Sequence, residues 1–243
     1  MTVPTDVFRI VGEPQPGGIL VVADHASKRV PTDVDLGIAP ALLNAHIAVD
    51  IGVAAVAERM VRPGTAAYLA NVSRLVCDLN RDRDASGVVP EASDGHAVPG
   101  NRLTSSDRAA RIARYFDPYH DGLAAVLAQT PPRLIVSLHS FTPRLASDPG
   151  QQRPWHVGVL YNEDDRAARL AIPLLAAEGL IVGDQLPYSG KLLNATMNRH
   201  AEAAGRAYLG LEVRQDQISD PVGQAAWAAR LSRIAAEVVT RLG

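Results

Sequence analysis

A chain of 243 residues with a formal net charge of -2 and dispersed rather than clustered Lys and Arg offers no broad basic field, which argues against a nucleic-acid partner. Its 47% hydrophobic and 21% charged content is that of a folded globular protein, and the length suits one α/β domain over residues 1–243. The opening Met1-Thr2-Val3-Pro4-Thr5-Asp6 has neither a cationic start nor an apolar core, no window approaches about 18 consecutive apolar residues, and the single Cys77 cannot form an internal disulfide. Neither export nor membrane insertion is signalled, and a cytoplasmic location is the expectation.

The first strong element is Ile19-Leu20-Val21-Val22-Ala23, a short apolar run after Pro16-Gly17-Gly18 that reads as a buried strand ending at Asp24-His25. From Pro40 to Val61 apolar residues recur at helical spacing until Pro63-Gly64 stops them, so a helix is expected there. Ala66 to Ala70 and Leu75 to Cys77 follow as short apolar runs. The polar segment from Asp82 to Asn101 is too long for a simple connector and is a candidate site loop. Thr104-Ser105-Ser106-Asp107 supplies capping residues for a long helix reaching about Gln129, and Pro131-Pro132 then resets the chain into the strand Leu134 to Leu138, which ends at His139. Strands are also expected at His156 to Leu160 and Ala207 to Val213, with helices at Asp164 to Glu178 and Pro221 to Leu242. Strands alternating with helices predict a mostly parallel sheet covered on both faces.

Ligands of such sheets bind beyond the carboxyl ends of the strands, so polar residues there carry the most information. Four groups occupy these positions: Asp24-His25, Asp78-Leu79-Asn80-Arg81, His139-Ser140 and Glu212-Val213-Arg214. Two histidines with several carboxylates match the nitrogen and oxygen ligands of catalytic zinc. Several other motifs do not survive inspection. Pro187-Tyr188-Ser189-Gly190-Lys191 lacks the glycine spacing and the terminal Ser or Thr of a phosphate loop, and neither a dinucleotide fingerprint nor a serine-hydrolase elbow is present. Cys77 lies in an apolar run and reads as a small buried hydrophobe.

Through Asp24-His25-Ala26-Ser27, His46-Ile47-Ala48-Val49-Asp50-Ile51-Gly52, Asn80-Arg81, Ser137-Leu138-His139-Ser140-Phe141 and Thr196-Met197-Asn198-Arg199-His200, the chain resembles the N-formylglutamate amidohydrolase family over almost its whole length. More distantly it is similar to the zinc carboxypeptidase plan: a first His, an Asn-Arg pair, a His-Ser-aromatic segment and a Glu-x-Arg in the same order. The resemblance implies a single three-layer α/β domain of the zinc-carboxypeptidase and phosphorylase-hydrolase type. It also implies one zinc ion on His25 and His139, Arg81 with Asn80 gripping a substrate carboxylate, and Glu212 as general base. Each role has a physical rationale. Neutral imidazoles ligate zinc, a guanidinium fork matches a carboxylate, and a glutamate beside an activated water can take its proton and later deliver it to the leaving amine.

In carboxypeptidase-like enzymes a glutamate ligand follows the first His by three residues, and here that position is Lys28. Another carboxylate must complete the site. Asp50 is the first choice, because the resemblance to the amidohydrolase family includes it; helical spacing four residues after His46 would also put those two on one face, and Asp24 and Asp78 are alternatives. Tyr188 is a loop tyrosine for the substrate, while Arg199 and Arg214 are reserve clamps, because a dicarboxylate needs more than one cation. The expected partner is therefore a small acidic N-acyl amino acid, with neither nucleic acid nor membrane involved and the oligomeric state open. Two competing readings are a zinc hydrolase of short peptides or other acylated amines, and a non-catalytic small-anion-binding protein of the same fold, which Lys28 would favour.

Overall fold

The computed structural model describes residues 6–243, so all but the last residue of the opening segment Met1 to Asp6 lies outside the described residues. The chain runs β1 (Phe8–Val11), β2 (Ile19–Ala23), α1 (Val53–Met60), β3 (Thr65–Ala70), a small hairpin of β4 (Ala92–Ser93) and β5 (His96–Ala97), and α2 (Ser105–Gln129). It continues through β6 (Leu134–Phe141), β7 (Val157–Leu160), α3 (Arg166–Ala177), β8 (Val182–Asp184), α4 (Ala195–His200), β9 (Tyr208–Arg214) and α5 (Pro221–Leu242). Seven strands form one mixed sheet in the order β1-β3-β2-β6-β9-β7-β8. Its central strands β3, β2, β6 and β9 are parallel neighbours, whereas β1 and β7 join them antiparallel on either side.

Helices cover both faces, as the alternating pattern requires. On one side α1, α3 and α5 pack on the sheet and on one another. On the other, α2 is pinned by Tyr68 of β3, whose hydroxyl donates to the Tyr119 carbonyl at 2.6 Å. The two longest helices begin where capping chemistry places them. The Thr104 hydroxyl accepts from Asp107 N, and the Asp220 carboxylate accepts from Val222 N and Gly223 N ahead of α5. Each such cap contributes about 1 kcal/mol. The single α/β domain with a mostly parallel mixed sheet is thus the predicted architecture.

Two local expectations are corrected. The segment Pro40 to Val61 is not one helix: a 3-10 turn covers Pro40–Asn44, Ala45 to Gly52 is irregular, and α1 begins only at Val53. Gly52 has φ +82°, and a Cβ there would lie 2.1 Å from the Ile218 carbonyl oxygen, so the chain turns through a conformation and a gap open only to glycine. Asp50 is therefore not four helical residues beyond His46. The Leu75 to Cys77 run is buried but forms a turn rather than a strand, organised by Ser73, whose carbonyl accepts from Val76 N and whose hydroxyl accepts from Leu75 N. The elements β1, β8 and α4 were not anticipated. The Asp82 to Asn101 loop contains the β4-β5 hairpin, and Asp94 at its tip accepts from Ala146 N and Ser147 N, tying the hairpin to the segment after β6.

Candidate metal centre

The site gathers where strands end on the α2 face of the sheet. His25 follows β2 by two residues, His139 lies in the last half of β6, and Glu212 of β9 is the register partner of His139. Because side chains alternate along a strand, His139 and Glu212 share a face with Ser137 and Gly210. Asp50 comes from the irregular segment before α1 and is held from both sides. Its N–H donates to the His25 carbonyl at 3.0 Å, and its Oδ2 is 3.4 Å from Ser140 N. The Ser140 hydroxyl fixes the same segment by donating to the Ile51 carbonyl at 3.0 Å.

Nδ1 of His25 and Nδ1 of His139 converge on one oxygen, Oδ2 of Asp50, at 3.4 and 2.9 Å. The opposite ring nitrogens face further carboxylates: Nε2 of His25 is 2.7 Å from Asp78 Oδ1, and Nε2 of His139 is 3.7 Å from Asp24 Oδ2. Arg74, not singled out in the sequence, bridges Asp50 Oδ1 and Asp78 Oδ2 at 3.3 and 3.0 Å. Tyr119 donates its hydroxyl to Asp24 Oδ1 at 2.6 Å. All four acidic side chains, Asp24, Asp50, Asp78 and Glu212, are buried.

A neutral imidazole carries one N–H, yet each of these rings has a carboxylate oxygen beside both of its nitrogens. Ligand atoms of His25, Asp50 and His139 lie within 4.8 Å of one another, and Asp24 Oδ2, His139 Nε2 and Glu212 Oε2 are buried without a hydrogen-bond partner. A divalent ion held by the two Nδ1 atoms and Asp50 suits this donor set. Its charge would replace protons on the inner ring nitrogens and leave each outer Nε2–H to a carboxylate, the usual arrangement around ligating histidines.

The charges bear on each other strongly. Burial alone would lower the His139 pKa, but Asp50, with Glu212 and Asp24, raises it to about 9. For His25, burial and Arg74 act downward and are outweighed by Asp78 and Asp50. Burial would raise the Asp50 and Asp78 carboxyls, but the neighbouring His25 and His139 hold Asp50 low, while Arg74 and His25 hold Asp78 low. Glu212 goes the other way: burial pushes it up to about 7, with Asp50 adding and His139 and Arg74 opposing. A carboxyl titrating near neutrality can both take and return a proton.

A cavity of about 150 Å³ opens onto this centre, with His25, Arg74, Asn80, Arg81, His139, Tyr188 and Glu212 among its walls. It is the scale of a small metabolite, below the roughly 300–1,000 Å³ of drug-sized sites. Of the residues proposed from sequence, His25, Asn80, Arg81, His139, Tyr188 and Glu212 line it, and Asp50 sits beneath the histidines. Two do not join them. Arg199 lies over the Phe116 ring at 5.0 Å, and Arg214 is paired with Asp216 through Nε at 2.7 Å while donating to the Arg153 and Pro154 carbonyls. Both reserve clamps are thus engaged outside the cavity, Arg214 because its place at the end of β9 puts it beside Asp216. Lys28 is also outside, donating to Asn44. His46 is 2.9 Å from Asp94 and belongs to the anchoring of the hairpin. Asn194, Leu160 and Leu193 line the cavity without having been anticipated. Asn194 lies two residues before the Thr196 to His200 motif, whereas the two leucines carried no chemical signal at all.

Fold and site together define a single-domain α/β protein whose strand ends present two histidines and a carboxylate around one point. The sequence matches the N-formylglutamate amidohydrolase family over residues 17–219, and the chain belongs to that family of hydrolases. Among solved structures, it is similar over 97% of its length to a gene product of Agrobacterium tumefaciens, at 27% identity and TM-score 0.90, covering 96% of that chain. It is likewise similar over 97% of its length to the N-formylglutamate amidohydrolase of Ralstonia eutropha, at 19% identity and TM-score 0.78, covering 98% of that chain. The comparison with curated proteins returned no match.

Proposed function

We propose that this protein is a metal-dependent hydrolase of the amide bond of a small N-acyl amino acid of the N-formyl type. The observation that carries the reading is the convergence of both histidine Nδ1 atoms on Asp50 Oδ2, with Glu212 paired in register to His139 on the same wall. His25, Asp50 and His139 would hold the ion, and zinc suits their nitrogen and oxygen donors. When bound, such an ion polarises the scissile carbonyl and acidifies water. Glu212 takes the proton of the attacking water and returns it to the leaving nitrogen, for which its raised pKa suits it. Arg81 holds the substrate carboxylate. Its Nε is 3.3 Å from Asp78 Oδ2, so the carboxylate that orients His25 also orients the clamp.

The test is metal analysis and turnover of N-formyl amino acids by protein purified without chelator, alongside His139→Ala. The expected result is about one divalent ion per chain in the wild type, with metal and activity lost together in the variant. Undiminished metal in a folded His139→Ala protein would remove His139 from the ligand set. Turnover that persists after complete removal of the ion would overturn metal dependence.

A further inference from the structure

Arg153, in the segment between β6 and β7, is 5% exposed and is the one Lys or Arg among the described residues that is buried. Its guanidinium donates Nε to Gln151 Oε1 at 2.7 Å, and Nη1 to the Thr142 carbonyl at 3.2 Å and to the Tyr188 hydroxyl oxygen at 3.0 Å. All three acceptors are neutral. Among the described residues no carboxylate pairs with Arg153 and Nη2 has no partner, whereas Arg74 bridges Asp50 and Asp78 and Arg214 is held by Asp216. The rings of Phe141 and Tyr188, with centres 5.9 and 5.0 Å from the guanidinium carbon, offer only the weaker cation–π attraction. A cation taken out of water without a counter-charge is costly. Behind the wall of a cavity, it points to an anionic ligand that brings the counter-charge.

Tyr188 links this charge to the cavity it lines. Its hydroxyl oxygen accepts from Arg153, so the O–H proton is left to donate, and a hydroxyl that accepts from a cation becomes the stronger donor. A second set of donors comes from a different segment of the wall. Asn80 Oδ1 accepts from Thr196 N at 3.1 Å, which leaves the Asn80 NH₂ group unspent, and Arg81 uses only Nε, on Asp78, which leaves its two terminal nitrogens as an open fork. The cavity thus has two sets of free donors, each backed by one guanidinium. Leu160, Leu193 and Leu211 add apolar surface suited to the methylenes of a substrate. With Arg199 and Arg214 engaged elsewhere, Arg153 is the cation that can serve a second carboxylate.

We propose that Arg153 sets a preference for an acidic side chain on the substrate: acting through the Tyr188 hydroxyl, it holds the side-chain carboxylate, while Arg81 and Asn80 hold the α-carboxylate. Arg153 is a positioning residue in this scheme, since it orients and polarises the hydroxyl that touches the substrate. The proposal rests on the hydrolytic reading for its reaction, but not for its selectivity.

The experiment measures kcat/KM of the metal-loaded protein for N-formyl-L-glutamate and N-formyl-L-glutamine, which differ in side-chain charge at nearly constant shape. The wild type is expected to favour glutamate. Arg153→Gln and Tyr188→Phe should each lower the glutamate-to-glutamine ratio by roughly tenfold, and Arg153→Lys should retain part of it. A purely structural Arg153, bracing Thr142 and Gln151, would depress both substrates alike and leave the ratio intact. A wild type without a preference for glutamate, or an unchanged ratio in either folded variant, overturns the proposal. Should Arg153→Gln fail to fold, Tyr188→Phe, which removes only the hydroxyl, decides alone by the same criterion. If the wild type hydrolyses neither compound, the hydrolytic reading fails, and calorimetric binding of the same two compounds decides selectivity. Tighter binding of the glutamate derivative that is lost in Tyr188→Phe supports the proposal, whereas any other binding pattern, or no binding at all, overturns it.

Discussion

Nε2 of His25 and Oδ1 of Asp78 are 2.7 Å apart, both buried, and this contact turns the other ring nitrogen toward Asp50. A charged acceptor on the outer nitrogen also makes the inner one a better donor to a cation. Asp78→Asn keeps the shape and an acceptor but removes the charge. Metal affinity, measured by competition with a chelator of known strength, is expected to fall about 10–100-fold. An unchanged affinity in a folded variant would mean that Asp78 serves Arg74 and Arg81 alone.

Glu212→Gln separates binding from chemistry. The amide retains the size of the side chain beside His139 but cannot accept a proton from water. Metal content is expected to stay near the wild-type level while kcat falls on the order of 10²–10⁴-fold. Full activity in that variant would make Glu212 a structural group.

Arg81→Lys preserves the charge and removes the fork. For an N-formyl amino acid with a free α-carboxylate, kcat/KM is expected to drop by roughly 1.5–3 kcal/mol, while the corresponding α-carboxamide is much less affected. Equal losses for both compounds would show that Arg81 supports the loop or Asp78 and does not read the carboxylate.

A buried histidine pair sets an acid limit on stability. His120 Nε2 faces the Leu79 carbonyl at 3.0 Å, and a carbonyl only accepts, so the proton of neutral His120 is on Nε2 and its Nδ1 accepts from His200 Nε2–H at 2.9 Å. Burial lowers both pKa values to about 4 from 6.5, with Arg199 acting in the same direction on each. Between those values the unfolded chain binds more protons than the folded one. The stability of this pair is therefore complete above about pH 6.5 and is lost as pH falls toward about 4. His139 and Glu212, whose pKa values are raised, act in the opposite sense over the same range, so the pair is read as a difference: from pH 7.5 to pH 5 the urea midpoint of the wild-type protein should fall further, or rise less, than that of the double variant His120→Gln, His200→Gln. Identical slopes for the two proteins would refute the assignment.

The parts of this molecule that were legible in the sequence are those governed by local pattern. The run Ile19 to Ala23 and the capped helices α2 and α5 announce themselves through β-branched residues, Thr104 and Asp220. His25, His139 and Glu212 were marked by their places at strand ends, and Arg81 by its motif. What stayed hidden depends on tertiary contact. The helical spacing of Pro40 to Val61 is overridden by the Gly52 turn against Ile218 and by the bond from Asp50 N to the His25 carbonyl, both made to residues far away in sequence. Arg74 reads as an ordinary cation until folding sets it between two buried carboxylates. Arg199, plausible by motif, is drawn onto an aromatic ring of α2 that no local pattern reveals.

The strand order has a consequence for the making of the protein. β9 is the last strand of the chain, yet it lies between β6 and β7 and pairs with both. A nascent chain that has emerged only as far as α4 holds β6 with one open edge and β7 with another, and nothing between them can close the gap. Unpaired apolar edges of this kind recruit other chains. Translation halted before Tyr208 would thus yield two unjoined sheet fragments prone to coalesce with their neighbours. The strand that completes the sheet also carries Glu212, so the ribosome delivers the proton-transfer group and the final seam of the fold in the same few residues.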